Sequence, residues 1–302
     1  MPIEQHGPAF AARIVRGRGR DPVAVTPLGG VVNEVFRVRG AGFDWVVRFP
    51  ADPERRNEFP VEEWAMRAAR QAGIPVPDVV GSGRLDDRPY LVLQYCEPAV
   101  DGLADPWTWL GRYARSVGRL PLAGAPEAVF SRFGRDLPAA WQAHVAYNLD
   151  SLGADDPLRR DGAYAVEHRP ALRALLAELQ AEPFDFGLAH GDLAPRNLIA
   201  PARPAAPVLL DWGAAGTGPA PWTDLQRVYQ SAVHDRTITP AALADFAAAA
   251  GTPMTEATER VLLALTVLRF LDLARWARER RPELYSDYLV ACTAGIRTAL
   301  RP

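Results

Sequence analysis

His190–Asn197 reads HGDLAPRN, and Leu209–Gly213, a short way downstream, reads LLDWG. Between the two polar clusters, NLIA at 197–200 and PVLLD at 207–211 are short apolar runs on either side of a Pro-rich turn, the pattern of a hairpin. Such a hairpin would hold Asp192 and Asn197 before its first strand and Asp211 after its second. Paired strands bring those two ends side by side, so two carboxylates and an amide would converge. Oxygen donors of this hard type suit Mg²⁺, which takes one or two protein carboxylates and leaves its other positions to phosphate and water. A lone aspartate here would read as an ordinary turn or cap residue; order and spacing together carry the reading.

Upstream, VAVTPL at 23–28, VVNEVFRV at 31–38 and FDWVVRF at 43–49 read as three strands joined by short turns. The next stretch, 61–73, predicts a helix with Val61, Trp64, Ala65, Ala68 and Ala72 on one face and Gly73 at its end. Pro75 and Pro77 stop it, and PDVVGSG leads into PYLVLQY at 89–95, a buried strand. CEPAVDGLADP at 96–106 reads as a connector. Helices are expected beyond it at 106–120, 138–150, 170–182, 224–234, 240–250 and 255–280, the last with a break. Strands, one helix, more strands, a linker and then mostly helices predict an α+β chain in two parts, 1–97 and 98–302.

The chain has 302 residues, 48% of them hydrophobic, enough for a sizeable core. A formal net charge of −2 supplies no global attraction to nucleic acid or to an anionic membrane. No apolar run approaches the roughly 20 residues of a spanning helix. The opening MPIEQHGPAF lacks a basic start and an apolar centre, so no signal peptide is expected. Cys96 and Cys292 show neither metal nor redox spacing and read as free thiols of a soluble, cytoplasmic protein. There is no lysine, so all 34 basic residues are arginine. Schiff-base chemistry and a lysine phosphate clamp are therefore closed to these side chains.

HGDLAPRN followed by LLDWG resembles the paired signature of the aminoglycoside phosphotransferase family, small-molecule kinases with a protein-kinase-like fold. The resemblance runs from about Leu28 to Leu225. It implies a small antiparallel-sheet N-lobe that binds nucleotide and a larger, mostly helical C-lobe with the catalytic loop and acceptor pocket. It also implies ATP as phosphoryl donor and Mg²⁺ as cofactor. Residue by residue, Asp192 would be the catalytic base, and Asn197 and Asp211 would hold the metal. His190 would pack and hydrogen-bond within the loop, Gly213 would let the chain turn after the metal ligand, and Asp224 would brace the loop from a helix. Gly29 and Gly30 would let backbone amides approach phosphate. Arg48 would clamp the α- and β-phosphates, fixed by a helix acid, Glu62 in preference to its neighbour Glu63. Adenine would sit at the linker, on backbone groups of Gln94 and Cys96. Protein kinases carry lysine two residues after the base; Ala194 stands here, as suits a small-molecule kinase.

The resemblance leaves the acceptor open. Acceptors in this family include aminoglycosides and related antibiotics, sugars, choline-like alcohols and amino-acid hydroxyls; a non-catalytic nucleotide-binding pseudokinase is the rival reading. From 141 to 186 acidic residues outnumber arginines, which would suit a polycation, but exposed helices share that composition. Arg275, Arg278, Arg280 and Arg281 read as a solvated helix face rather than an anion site. A small-molecule hydroxyl is the expected partner, with neither nucleic acid nor membrane.

Overall fold

The computed structural model describes residues 6–30, 32–52, 57–99, 102–201 and 205–300. Val31 of the second expected strand, the middle of the connector, the turn of the NLIA–PVLLD hairpin and most of the N-terminal stretch fall outside them. The chain forms two compact units, one of 1–106, 120–127 and 194–215, the other of 107–119, 128–193 and 216–302.

The first unit holds helix α1 (His6–Gly17), strands β1 (Pro22–Pro27), β2 (Asn33–Gly40) and β3 (Phe43–Pro50), helix α2 (Phe59–Gln71), and strands β4 (Val79–Leu85) and β5 (Arg88–Gln94). The strands form one antiparallel sheet ordered β1-β2-β3-β5-β4. Period-two alternation sends Phe36, Val38, Trp45, Val47 and Phe49 to one face, where Ala11, Ile14 and Val15 of α1 complete the core. Each large apolar side chain buried there contributes about 1.5–3 kcal/mol. Gly7 and Pro8, which look like helix breakers, sit in the first turn of α1. Proline is tolerated in that turn, and a Cβ on Gly7 would run into Phe36 and Glu34.

In α2, Val61, Ala65, Ala68 and Ala69 are buried as a stripe. Trp64 is only half-buried, its indole N–H donating to the Ala123 carbonyl (3.3 Å), and Ala72 is exposed beyond the helix end. The glycine-rich β4 reads poorly as a strand, yet Gly81 has φ 149°, which favours glycine, and the Tyr90 side chain lies over Gly83. The expected hairpin forms from β7 (Leu198–Ile199) and β8 (Val208–Leu209), with Leu198 opposite Leu209. It is tied to the rest of this unit by Leu209 N–H to the Pro75 carbonyl and Ala99 N–H to the Ala200 carbonyl, both 2.9 Å.

The second unit contains α3 (Pro106–Val117, from Trp107 on), α4 (Leu137–Ser151), α5 (Pro157–Arg160), α6 (Arg169–Ala181), α7 (Trp222–Val233), α8 (Pro240–Ala250), α9 (Glu256–Arg280) and α10 (Tyr285–Ala299). The expected break in α9 does not occur. Thr255 caps its start, its hydroxyl accepting from Thr258 N–H, and the helix contains no glycine or proline. Its apolar residues lie on several faces, as expected of a helix enclosed by neighbours. Arg275 departs from the expected solvated face: it is 7% exposed and pairs with Asp156 at 2.8 Å, which also accepts from the Tyr164 hydroxyl. Arg278, Arg280 and Arg281 are exposed. A second short antiparallel pair, β6 (Phe186–Ala189) with β9 (Gly216–Pro219), threads this unit. No helix among the described residues is long and apolar enough to cross a membrane.

Candidate active site

In the first unit the hairpin brings Asn197 beside the chain leading into Asp211, two of the three residues expected to converge. Asn197 ends a single 3₁₀ turn, Pro195–Asn197, whose N–H bonds the Ala194 carbonyl (2.9 Å). Across the hairpin, Leu210 N–H donates to the Asn197 carbonyl at 2.9 Å, which brings Asn197 beside the chain leading into Asp211. Asp211 then adopts a left-handed backbone, φ 63° and ψ 62°. That conformation costs a β-branched residue far more than an aspartate. Trp212 beyond it is fully buried, its indole N–H donating to the Leu209 carbonyl (3.2 Å), so the turn is anchored from its far side.

Arg48 reaches Asp211 from the middle strand of the sheet. Its Nη2 donates to Asp211 Oδ1 at 3.0 Å, and its Nη1 is paired with Glu62 Oε1. Glu62 is almost wholly buried while Asp211 is open to solvent, so the guanidinium spans from a dry carboxylate to a wet one. Burial disfavours the Arg48 cation, but Glu62 and Asp211 outweigh it and hold the guanidinium firmly protonated. Burial pushes the Glu62 carboxyl up, with Arg48 opposing. Of the neighbouring glutamates, Glu62 meets Arg48, and Glu63 instead bonds Arg67 on the outer face (2.7 Å).

The remaining expected nucleotide residues lie in the same unit. Gly29 (φ 82°) and Gly30 (φ 159°) form the bend between β1 and β2, and a Cβ on Gly30 would strike the Asn33 carbonyl. Gln94 ends β5 with its N–H committed to the Asp78 carbonyl (2.8 Å). Cys96 follows it, half-buried, and burial raises its thiol pKa, so it is no activated nucleophile. Gly213 has little room for a side chain: a Cβ there would come 3.2 Å from Glu58 Oε2. Glu58, at the start of α2, carried no sequence signal of this contact.

In the second unit, His190, Gly191 and Asp192 follow β6. Asp224 in the first turn of α7 accepts from His190 N–H (3.0 Å) and Gly191 N–H (2.7 Å), one carboxylate oxygen each. His190 is fully buried, and its Nδ1 accepts from Asp192 N–H at 3.3 Å. The loop is thus braced on the N-terminal side of Asp192, which is itself half-buried. Burial pushes the Asp224 carboxyl up, against the pull of His190 and the two amides.

The described residues contain no cluster of three or more His, Cys, Asp or Glu side chains able to hold a metal. What they offer is one amide and one open carboxylate on adjoining hairpin ends. Such a set is too small for a dedicated protein cage, but it fits a cation whose remaining ligands come from phosphate and water.

The model of the phosphotransferase enzyme family matches residues 24–265. No curated protein matches the chain by sequence. Among solved structures, the GDP and kanamycin complex of APH(2")-IIIa is similar at 16% identity, covering 96% of this chain and 98% of that one with a TM-score of 0.63. Choline kinase LicA from Streptococcus pneumoniae is similar at 16% identity over 97% and 100% of the two chains, TM-score 0.59. Spectinomycin phosphotransferase APH(9)-Ia, in complex with ADP and spectinomycin, shows 12% identity over 96% and 94%, TM-score 0.52.

Proposed function

This chain belongs to the phosphotransferase enzyme family, and from that premise we propose that it moves the γ-phosphoryl group of ATP to a hydroxyl of a small polar molecule. Its α+β fold is of the protein-kinase-like class. The observation that carries the proposal is the chain of ion pairs Glu62–Arg48–Asp211, ending on the hairpin that also carries Asn197.

Asn197 and Asp211 would hold Mg²⁺, which when bound neutralises charge on the phosphate oxygens. Arg48, oriented by the buried Glu62, donates to the α- and β-phosphates in its planar fork. Gly29 and Gly30 let backbone amides approach the phosphates, and the linker carbonyls about Gln94 and Cys96 receive the adenine edge. Asp192 accepts the proton of the acceptor hydroxyl as the phosphoryl group leaves, and Asp224 holds the loop that aims it. Similarity to enzymes of kanamycin, spectinomycin and choline keeps both antibiotic and metabolite alcohols in view as acceptors.

The test is Mg²⁺-dependent ADP release with a panel of alcohols, together with nucleotide titration. Asp192→Ala should cut turnover by about 10³-fold or more with nucleotide affinity within about threefold of wild type. Asp211→Ala should instead weaken Mg·ATP binding. Near-native turnover in Asp192→Ala would remove the base from that position.

A further inference from the structure

Arg37 lies in the middle of β2, the strand that follows the Gly29–Gly30 bend. Pairing sets Val35 opposite Arg48 and Arg37 opposite Val46. Side chains alternate along a strand, so Val35, Arg37, Asp44, Val46 and Arg48 share one face of the sheet, opposite the face that α1 covers. Arg48 stands at the end of that face nearer Asp211, and Arg37 at the end nearer the linker that follows β5.

Three groups converge on the Arg37 guanidinium. Its Nε donates to Asp44 Oδ1 at 2.9 Å and its Nη2 to Asp44 Oδ2 at 2.6 Å, a bidentate pair across two neighbouring strands. Nη2 also donates to Glu97 Oε2 at 3.2 Å. The guanidinium carbon lies 3.6 Å from the centroid of the Tyr95 ring. Backbone bonds tie the linker at its two ends. Gln94 N–H donates to the Asp78 carbonyl (2.8 Å) and Tyr95 N–H to the Asp44 carbonyl (2.9 Å); further on, Ala99 N–H donates to the Ala200 carbonyl (2.9 Å) of the hairpin that carries Asn197. Arg37, through Tyr95 and Glu97, holds the stretch between those ties.

We propose that Arg37 is a positioning residue for the nucleotide, holding the linker in the shape that receives the purine. The proposal rests on the phosphotransferase reading above. An isolated exposed ion pair would do little. Here the Arg37 and Asp44 side chains are 22% and 31% exposed, and one cation serves a carboxylate fork, a ring and a second carboxylate. The hydrogen bonds to Asp44 hold the guanidinium firmly protonated. Only a planar fork offers its edge to carboxylates and its face to a ring at once, which an ammonium cannot do. A linker released from Arg37 would keep its end ties but sample other shapes, and apparent nucleotide affinity falls with the fraction of time spent in the competent one.

The experiment titrates the full chain with Mg·ADP by calorimetry and measures Mg·ATP-dependent ADP release with the panel of alcohols. Arg37→Gln should raise Kd for Mg·ADP and KM for Mg·ATP by about 5- to 20-fold, with kcat at saturating nucleotide within about twofold of wild type. Arg37→Lys should fall between. Tyr95→Leu should raise Kd by about 3-fold or more, and the double variant by less than the product of the single effects, since both act through one contact. Arg13→Gln breaks an exposed pair with Asp86 in the same unit and should leave Kd within about twofold. If Arg37→Gln does not fold, Arg37→Lys and Tyr95→Leu carry the same test. Unchanged Kd and KM, a fall in kcat with KM intact, or equal weakening in Arg13→Gln would overturn the proposal while leaving phosphotransfer in place. Arg37-dependent Mg·ADP binding with no ADP release from any alcohol would instead uphold the positioning role and remove the phosphotransferase reading. A wild type that binds no nucleotide would remove both.

Discussion

Arg48 shows how much one residue can depend on a single neighbour. Without Glu62 its guanidinium would keep only Asp211, the carboxylate proposed above as a metal ligand, and would compete with a bound cation for it. Both partners of the Arg48–Glu62 pair are buried, with side chains 13% and 2% exposed. Removing one charge of such a pair costs about 3–5 kcal/mol when the other stays behind; Glu62→Gln, which retains a hydrogen-bonding amide, should lose about 3 kcal/mol in urea unfolding and weaken Mg·ATP binding. Glu63→Gln, whose Arg67 contact lies on the outer face, should lose about 0.5 kcal/mol or less. Equal losses in the two variants would show that Arg48 does not rely on Glu62. Asp211 adds a second constraint at the same scale, since its left-handed backbone disfavours β-branched replacements independently of their charge.

At the scale of elements, the loop bearing Asp192 takes its shape from α7. Asp224 receives two backbone N–H groups, one on each oxygen, and an asparagine there would turn an N–H₂ toward one of them. Asp224→Asn should therefore cost about 1–3 kcal/mol of stability. It should lower kcat well before it alters nucleotide affinity, because the groups expected to hold ATP belong to the other unit. A rise in nucleotide KM with kcat intact would refute the bracing role. The β6–β9 pair obeys a packing rule of its own: Gly187 lies against the Gly118 carbonyl, where a Cβ has no room. The strand is therefore recognisable by its neighbours rather than by its propensity.

At the scale of the whole molecule, pH acts on stability through a half-buried histidine that the proposed chemistry does not use. His234, just past α7, has its Nε2 buried with no hydrogen-bond partner among the described residues, and it lies edge-on to Phe270. Burial lowers its pKa from the usual value. As pH falls below about 6.5, the unfolded chain takes up this proton while the folded chain resists it. The stability contributed by neutral His234 is complete above that pH and is lost as pH falls toward the folded pKa. Urea unfolding midpoints should decline from pH 7 to pH 5 in wild type and decline less in His234→Gln. Parallel slopes in the two proteins would assign the acid sensitivity to other groups.

Much of the fold was legible from local pattern. Strands β1, β2, β3 and β5, helix α2 and six helices of the second unit follow period and punctuation within a residue or a few. The hairpin convergence of Asn197 and Asp211 also follows from order and spacing, because a two-stranded pairing leaves the chain no other way to join those ends. Elements whose reasons lie outside their own segment escaped: α1 behind Gly7 and Pro8, glycine-rich β4, the four-residue β6 and β9, and α10. The alternating and 3.6-residue patterns are properties of the chain itself, so the sequence alone determined four of the five strands of the sheet, the main helices and the motif pair. Only the tertiary structure decided that Glu62 rather than Glu63 meets Arg48, that Arg275 is buried against Asp156, and that Arg37 meets Asp44, Tyr95 and Glu97 together. Burial and charge pairing are settled by which elements pack together, and no single stretch of sequence carries that information.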